Sequence, residues 1–210
     1  MAESKFREIM EIFAAENPNP KCELNYVNEY TLLVAVLLSA QSTDKGVNKA
    51  TEALFKVADT PQKMLKLGEE KLKNYIKTIG LYNNKAKNII KLSADLCEKY
   101  GGKVPLEHKK LQELAGVGRK TANVVLNVWL GLPTIAVDTH VFRVAHRLGI
   151  SNGKTPLEVE KDLAAKIPAE YHKNINHWLV LFGRYQCKAK NPNCKDCKLK
   201  KYCLEKDKNL

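Results

Sequence analysis

Four of the six cysteines in this 210-residue chain crowd into its last 24 residues. The spacing Cys187-x6-Cys194-x2-Cys197-x5-Cys203 puts four potential thiolates within 17 residues. Thiolates are soft donors, and four this close in a reducing compartment read as a metal site, either zinc or iron–sulfur. Zinc ribbons usually pair two Cys-x2-Cys knuckles and only one is present, but spacing alone leaves both metals open. Residues 184–208 hold nine basic side chains against three acidic ones, half of the chain's formal excess of +12. Basic residues held by a metal loop, Lys188 and Lys190 among them, are placed to meet a phosphate backbone; the plainer reading is a solvated face.

A second concentration of chemistry is Gly116-Val117-Gly118-Arg119-Lys120. Two glycines around one apolar residue allow a tight turn without Cβ clashes. The turn opens a strongly apolar helix, whose first backbone N–H groups suit a phosphate. Gly116, Val117, Gly118 and Arg119 are read as nucleic-acid backbone contacts, with Val117 also anchoring the turn; an ordinary helical hairpin is the alternative. Lys120 falls in the first turn of the second helix. The helix dipole and Arg119 disfavour an ammonium there, the condition under which an amine becomes a nucleophile. Asp138 follows the apolar stretch Pro133–Val137. Aspartate caps helices, and a carboxylate also stabilises positive charge developing at a sugar carbon. His140, two residues on, is a first-turn residue within reach of phosphate.

The elements that must position these groups are helical. Apolar residues make up 44% of the chain and charged ones 28%, ordinary globular usage. The basic excess favours a polyanion: DNA, RNA or an acidic membrane surface. The longest apolar run, Leu32–Leu38, falls far short of the ~20 residues of a membrane span. The acidic N-terminal residues carry no apolar targeting core, so a cytoplasmic protein is expected. Phe6, Ile9, Met10 and Phe13 repeat at helical steps. Tyr30–Ala40 is apolar on all sides, as in a buried helix. Helices are predicted over 48–57, 69–79 and 84–100, with Gly80 ending the second, Asn83 capping the third and Gly101-Gly102 closing it. No stretch alternates as a strand does, so the expected class is all-α. Breaks at Asn17–Pro20 and Gly131–Pro133 predict two helical domains flanking a cleft, 21–132 and a discontinuous pairing of 1–20 with 133–210.

Taken together, Leu37–Asp44 (LLSAQSTD), Ile79–Asn83 (IGLYN), Gly116–Val125 (GVGRKTANVV), Val137–His140 (VDTH) and the four cysteines resemble the endonuclease III family. The resemblance implies a six-helix barrel with a helix-hairpin-helix motif (about 107–130), beside a discontinuous iron–sulfur cluster domain. It implies a bifunctional DNA glycosylase and abasic-site lyase that excises oxidised pyrimidines and acts as a monomer on damaged duplex DNA in the bacterial cytoplasm. Lys120 would be the Schiff-base nucleophile and Asp138 the catalytic carboxylate. Cys187, Cys194, Cys197 and Cys203 would hold a [4Fe–4S] cluster, and Gln41 and Leu81 would enter the duplex beside the extruded nucleotide. Ala115 departs from the proline expected before the hairpin, which loosens the turn but keeps an N–H. The rivals are a monofunctional adenine-mismatch glycosylase, a non-catalytic iron–sulfur DNA-binding protein and a redox carrier. Lys120 speaks against the first, the Lys120–Asp138 pair against the second, and the hairpin against the third.

Overall fold

The computed structural model of the chain describes residues 2–206 and 208. In chain order the helices are α1 (Ala2–Glu16), α2 (Glu29–Ser39), α3 (Asp44–Val57), α4 (Pro61–Leu67), α5 (Glu69–Ile76) and α6 (Tyr82–Tyr100). They continue with α7 (His108–Gln112), α8 (Arg119–Leu130), α9 (Thr139–Arg147), α10 (Pro156–Lys166) and α11 (His172–Tyr185). Short 3-10 turns occur at Ala169–Tyr171 and Lys200–Tyr202, and no strand occurs among the described residues. The fold is all-α. The chain forms two compact units, Glu23–Leu130 and a discontinuous one of Met1–Cys22 with Gly131–Leu210. Of the cysteine-loop charges counted above, Asp207 lies outside the described residues, as do the end residues 1, 209 and 210.

In the unit Glu23–Leu130, α2 is the spine. Every residue from Tyr30 to Leu38 is buried, and α3, α6 and α8 pack around it. A capping box starts it: the Asn28 side chain accepts from the Thr31 N–H at 2.8 Å, and Thr31 Oγ1 accepts from the Asn28 N–H at 3.0 Å. Thr43 and Thr60 cap α3 and α4 in the same simple way.

Two boundaries differ from the periodicity. The segment predicted to be helical through Ile79 stops at Ile76, because Ile79 turns into the core and donates its N–H to the Ile76 carbonyl at 2.8 Å. The next helix begins at Tyr82, not Asn84, and its N-cap is Leu81 with φ 58°, not Asn83. Gly101, at φ 60°, closes α6 as expected of a left-handed cap.

The discontinuous unit has its own core. Phe6, Ile9, Met10 and Phe13 of α1 cluster with Val141, Val144 and Ala145 of α9 and with Trp178 and Leu179 of α11. Phe13 stacks on Trp178 at 6.1 Å and meets Phe182 edge-on at 5.3 Å. The Trp178 indole donates to the Asn17 carbonyl at 2.8 Å, giving its buried N–H a partner. Among the described residues no helix is long and apolar enough to cross a membrane.

Candidate active site

The glycine hairpin joins α7 to α8, and its two glycines serve different needs. Gly116 sits at φ 77°, and a Cβ there would lie 2.9 Å from Asn88 Nδ2. Gly118 has open space where a Cβ would be, which lets a ligand approach the backbone. Val117 works from inside: its side chain is buried, and its N–H donates to the Leu114 carbonyl at 3.1 Å. It therefore anchors the turn and has no free N–H for phosphate. The first intrahelical bond of α8 runs from the Ala122 N–H to the Gly118 carbonyl at 3.0 Å. The N–H groups of Arg119, Lys120 and Thr121 precede it at the positive end of the helix. Arg119 and Lys120 are both exposed there.

Gln41 and Leu81, distant in sequence, lie in neighbouring turns of the same unit. Gln41 has φ 56° and Leu81 φ 58°; the only other non-glycine residue with positive φ among the described residues is Asn191. Non-glycine residues held in this region are strained, and such strain gathers at working sites. The Leu81 side chain is 58% exposed. A Cβ on Gly80 would lie 3.4 Å from the Gln41 carbonyl oxygen, so the two turns touch.

In the discontinuous unit, Asp138 caps α9. Its Oδ1 accepts from the N–H groups of His140 and Val141 at 2.8 and 2.9 Å. His140 packs against Gly183, where a Cβ would approach its own to 2.8 Å, and its Nδ1 lies 3.2 Å from Arg143 Nη2. Arg143 and Arg147 tie α9 to the cysteine loop. Arg143 Nε donates to the Cys187 carbonyl at 3.1 Å, and Arg147 Nη1 reaches Cys187 Sγ at 3.4 Å and the Lys188 carbonyl at 2.8 Å.

All four C-terminal cysteines line one pocket, with Arg147, Leu148, Phe182 and Leu199 on its walls. None is in a disulfide. Burial pushes the Cys197 thiol up, and the other three thiols add to that effect. Among the described residues no three histidines, cysteines or carboxylates converge tightly enough to hold a single ion. The lining of that pocket thus offers four sulfurs and, among the described residues, no carboxylate or imidazole. Lys188 and Lys190 are exposed beside them. The basic count overstates the open charge, because Lys198 pairs with Glu16 and Lys201 lies 3.6 Å from Glu8.

The profile of the HhH-GPD superfamily of base excision DNA repair proteins matches residues 34–169. The chain is 58% identical to the endonuclease III of Rickettsia conorii over 93% of both chains. It is 51% identical to that of Escherichia coli K12 over 99% of both. The chain belongs to the endonuclease III family. A solved endonuclease III–DNA complex, a trapped covalent intermediate, superposes with a TM-score of 0.92 at 47% identity, covering 97% of this chain and 96% of that one. A non-covalent endonuclease III–DNA complex superposes equally well, at 46% identity.

Set among endonuclease III proteins, the chain's sequence-predicted residues fall into local groups: the hairpin with Lys120, the Gln41 and Leu81 turns, the Asp138 cap and the cysteine loop. Sequence reading missed Lys85, Arg143 and Arg147. For Lys85 a signal was present: it is spaced with Ile89, Leu92 and Leu96 on the buried stripe of α6, where a lysine is out of place. The two arginines gave no signal, because their partners are loop carbonyls and a sulfur some 40 residues away.

Proposed function

We propose that this chain is a bifunctional DNA N-glycosylase and abasic-site lyase of base excision repair, acting on oxidised pyrimidines in duplex DNA. Lys120 Nζ attacks C1′ of the extruded nucleotide while the N-glycosidic bond breaks. The base leaves with the bonding electron pair and takes up a proton. Loss of a proton from the new C–N ammonium and opening of the sugar ring give a Schiff base between Lys120 Nζ and C1′. The imine acidifies the C2′ proton, whose removal expels the 3′ phosphate by β-elimination, and water releases the lysine. Asp138, with one oxygen held by the α9 cap, supplies the negative charge that stabilises the cationic sugar. The observation that carries this reading is an exposed lysine in the first turn of α8, in a chain 47% identical to a protein trapped as a covalent DNA intermediate.

Gln41 and Leu81 fill the gap left by the extruded nucleotide, a role supported by their strained backbones and the exposure of Leu81. Gly116, Gly118 and Arg119 hold the phosphate backbone at the start of α8, with Lys188, Lys190 and His140 as further contacts. In this reading Glu23–Leu130 is the six-helix barrel domain and the discontinuous unit is the cluster domain. Cys187, Cys194, Cys197 and Cys203 hold a [4Fe–4S] cluster. The all-sulfur donor set around one pocket supports it, since each iron of such a cluster takes one thiolate. Held by these four thiolates, a cluster would cross-link the loop that carries Lys188 and Lys190. The protein works as a monomer on the bacterial nucleoid.

Borohydride reduction tests the assignment. The parent chain, incubated with a duplex containing thymine glycol, should give a protein–DNA adduct that survives denaturation, and Lys120→Ala should not. An adduct forming at the parental rate with Lys120→Ala refutes the role of Lys120.

A further inference from the structure

Lys85 is only 6% exposed, although lysine is rarely buried without partners. Its ammonium has three protons and meets three oxygens: the Leu38 carbonyl at 2.9 Å, the Ala40 carbonyl at 2.5 Å and Ser42 Oγ at 3.3 Å. The two carbonyls stand at the C-terminal end of α2, where unsatisfied acceptors and the negative end of the helix dipole favour a cation. Ala40 and Ser42 flank Gln41, so the side chain of Lys85 grips the strained Gln41 turn on both sides. The backbone N–H of Lys85 donates to the Leu81 carbonyl at 3.1 Å. Lys85 thus touches both strained positions: its backbone lies in the first turn of the helix that Leu81 caps, and its side chain reaches across to the Gln41 turn.

A helix end needs no such device. Glycine or asparagine stops a helix without burying a charge, and burying an ammonium is costly unless it is fully hydrogen-bonded. The arrangement suits a contact that fixes one turn against the other. We infer that Lys85 is a positioning residue for base extrusion: it locks the Gln41 and Leu81 turns together in advance, so that both side chains meet the duplex as one rigid wedge. The conformational order required for insertion is then established at folding, not at the moment of DNA binding. The inference rests on the insertion role of Gln41 and Leu81 proposed above.

The test is single-turnover excision of thymine glycol by the full-length parent, Gln41→Ala, Lys85→Met and the double variant. A 2-aminopurine beside the lesion reports opening of the stack. Lys85→Met keeps an unbranched apolar stem, one atom shorter, and removes the ammonium with its three donors. It should slow excision by about 10- to 100-fold, the scale of a misplacement of about 1 Å. The rise in 2-aminopurine fluorescence should slow with it. The double variant should be no slower than the slower single one, because both substitutions disable the same wedge. General destabilisation would instead make the two losses multiply, and that result overturns the inference. So does a folded Lys85→Met that excises at the parental rate while Gln41→Ala is slow. If Gln41→Ala and Leu81→Ala both excise normally, the insertion reading itself fails, and this inference falls with it. Should Lys85→Met not fold, Lys85→Gln, which keeps N–H donors at shorter reach, is expected to show the same pattern.

Discussion

Replacing Leu81 by alanine and by glycine separates its strain from its function. In most contexts alanine is more stabilising than glycine by about 0.4–1 kcal/mol, because glycine gains more freedom on unfolding. At φ 58° the order should invert. A side chain with a Cβ costs roughly 1–2 kcal/mol in the left-handed region, and glycine removes that cost. Truncation to either residue removes the same outer carbons, so burial largely cancels between the two variants. The difference leaves Leu81→Gly more stable than Leu81→Ala by about 0.8 kcal/mol, within a range of roughly 0 to 1.6. For a chain of this size that is a melting temperature higher by about 2–3 °C. Thermal unfolding followed by circular dichroism reads it directly. Excision should move the other way: both variants lose the inserted side chain and should be slower than the parent on thymine glycol. Leu81→Ala melting clearly above Leu81→Gly would show that the left-handed conformation is not strained, and the argument from strain would fail. Either variant excising at the parental rate would remove Leu81 from the duplex.

Three further outcomes are expected. Asp138→Ala should lose both the α9 cap, worth about 1 kcal/mol, and excision, whereas Asp138→Asn should keep the cap and lose only excision; melting curves beside rate measurements distinguish the two effects. The purified parent should be brown with absorbance near ~400 nm, and Cys203→Ser should lose that band and melt at a lower temperature; a colourless parent refutes the cluster. The Asp162 carboxyl is held below its ordinary range first by Ser151 Oγ, 2.7 Å away, and then by Lys166. Its stabilising contribution is complete above the unfolded value of about 3.9 and is lost as pH falls through the lower folded value. Ser151→Ala should therefore lower the melting temperature at neutral pH and flatten its acid limb, measured as melting temperature against pH.

Local chemistry was legible in the amino-acid order. The apolar run Leu32–Leu38 announced a buried helix, the repeat Phe6, Ile9, Met10, Phe13 announced an amphipathic one, and both form. Gly116-Val117-Gly118 announced a tight turn before a helix, and Asp138 announced a cap; the turn closes through the Val117 N–H on the Leu114 carbonyl and the cap through His140 and Val141, all within three residues. The end of α5 was not legible, because the pull of Ile79 into the core outweighed helical periodicity. Nor was the start of α6, where Leu81 adopts a conformation that its own side chain disfavours.

Residue type and short spacing were enough for the helical class, the glycine turn that precedes Lys120, the Asp138 cap, the clustering of four cysteines and the basic character. Packing settled which carbonyls receive the Lys85 ammonium, that Arg147 reaches Cys187, and that Gln41 and Leu81 are strained side by side. Those facts join residues some 40 positions apart. Packing creates such pairings after the helices have formed, and the pattern of one helix holds no record of the partner against which it will be buried.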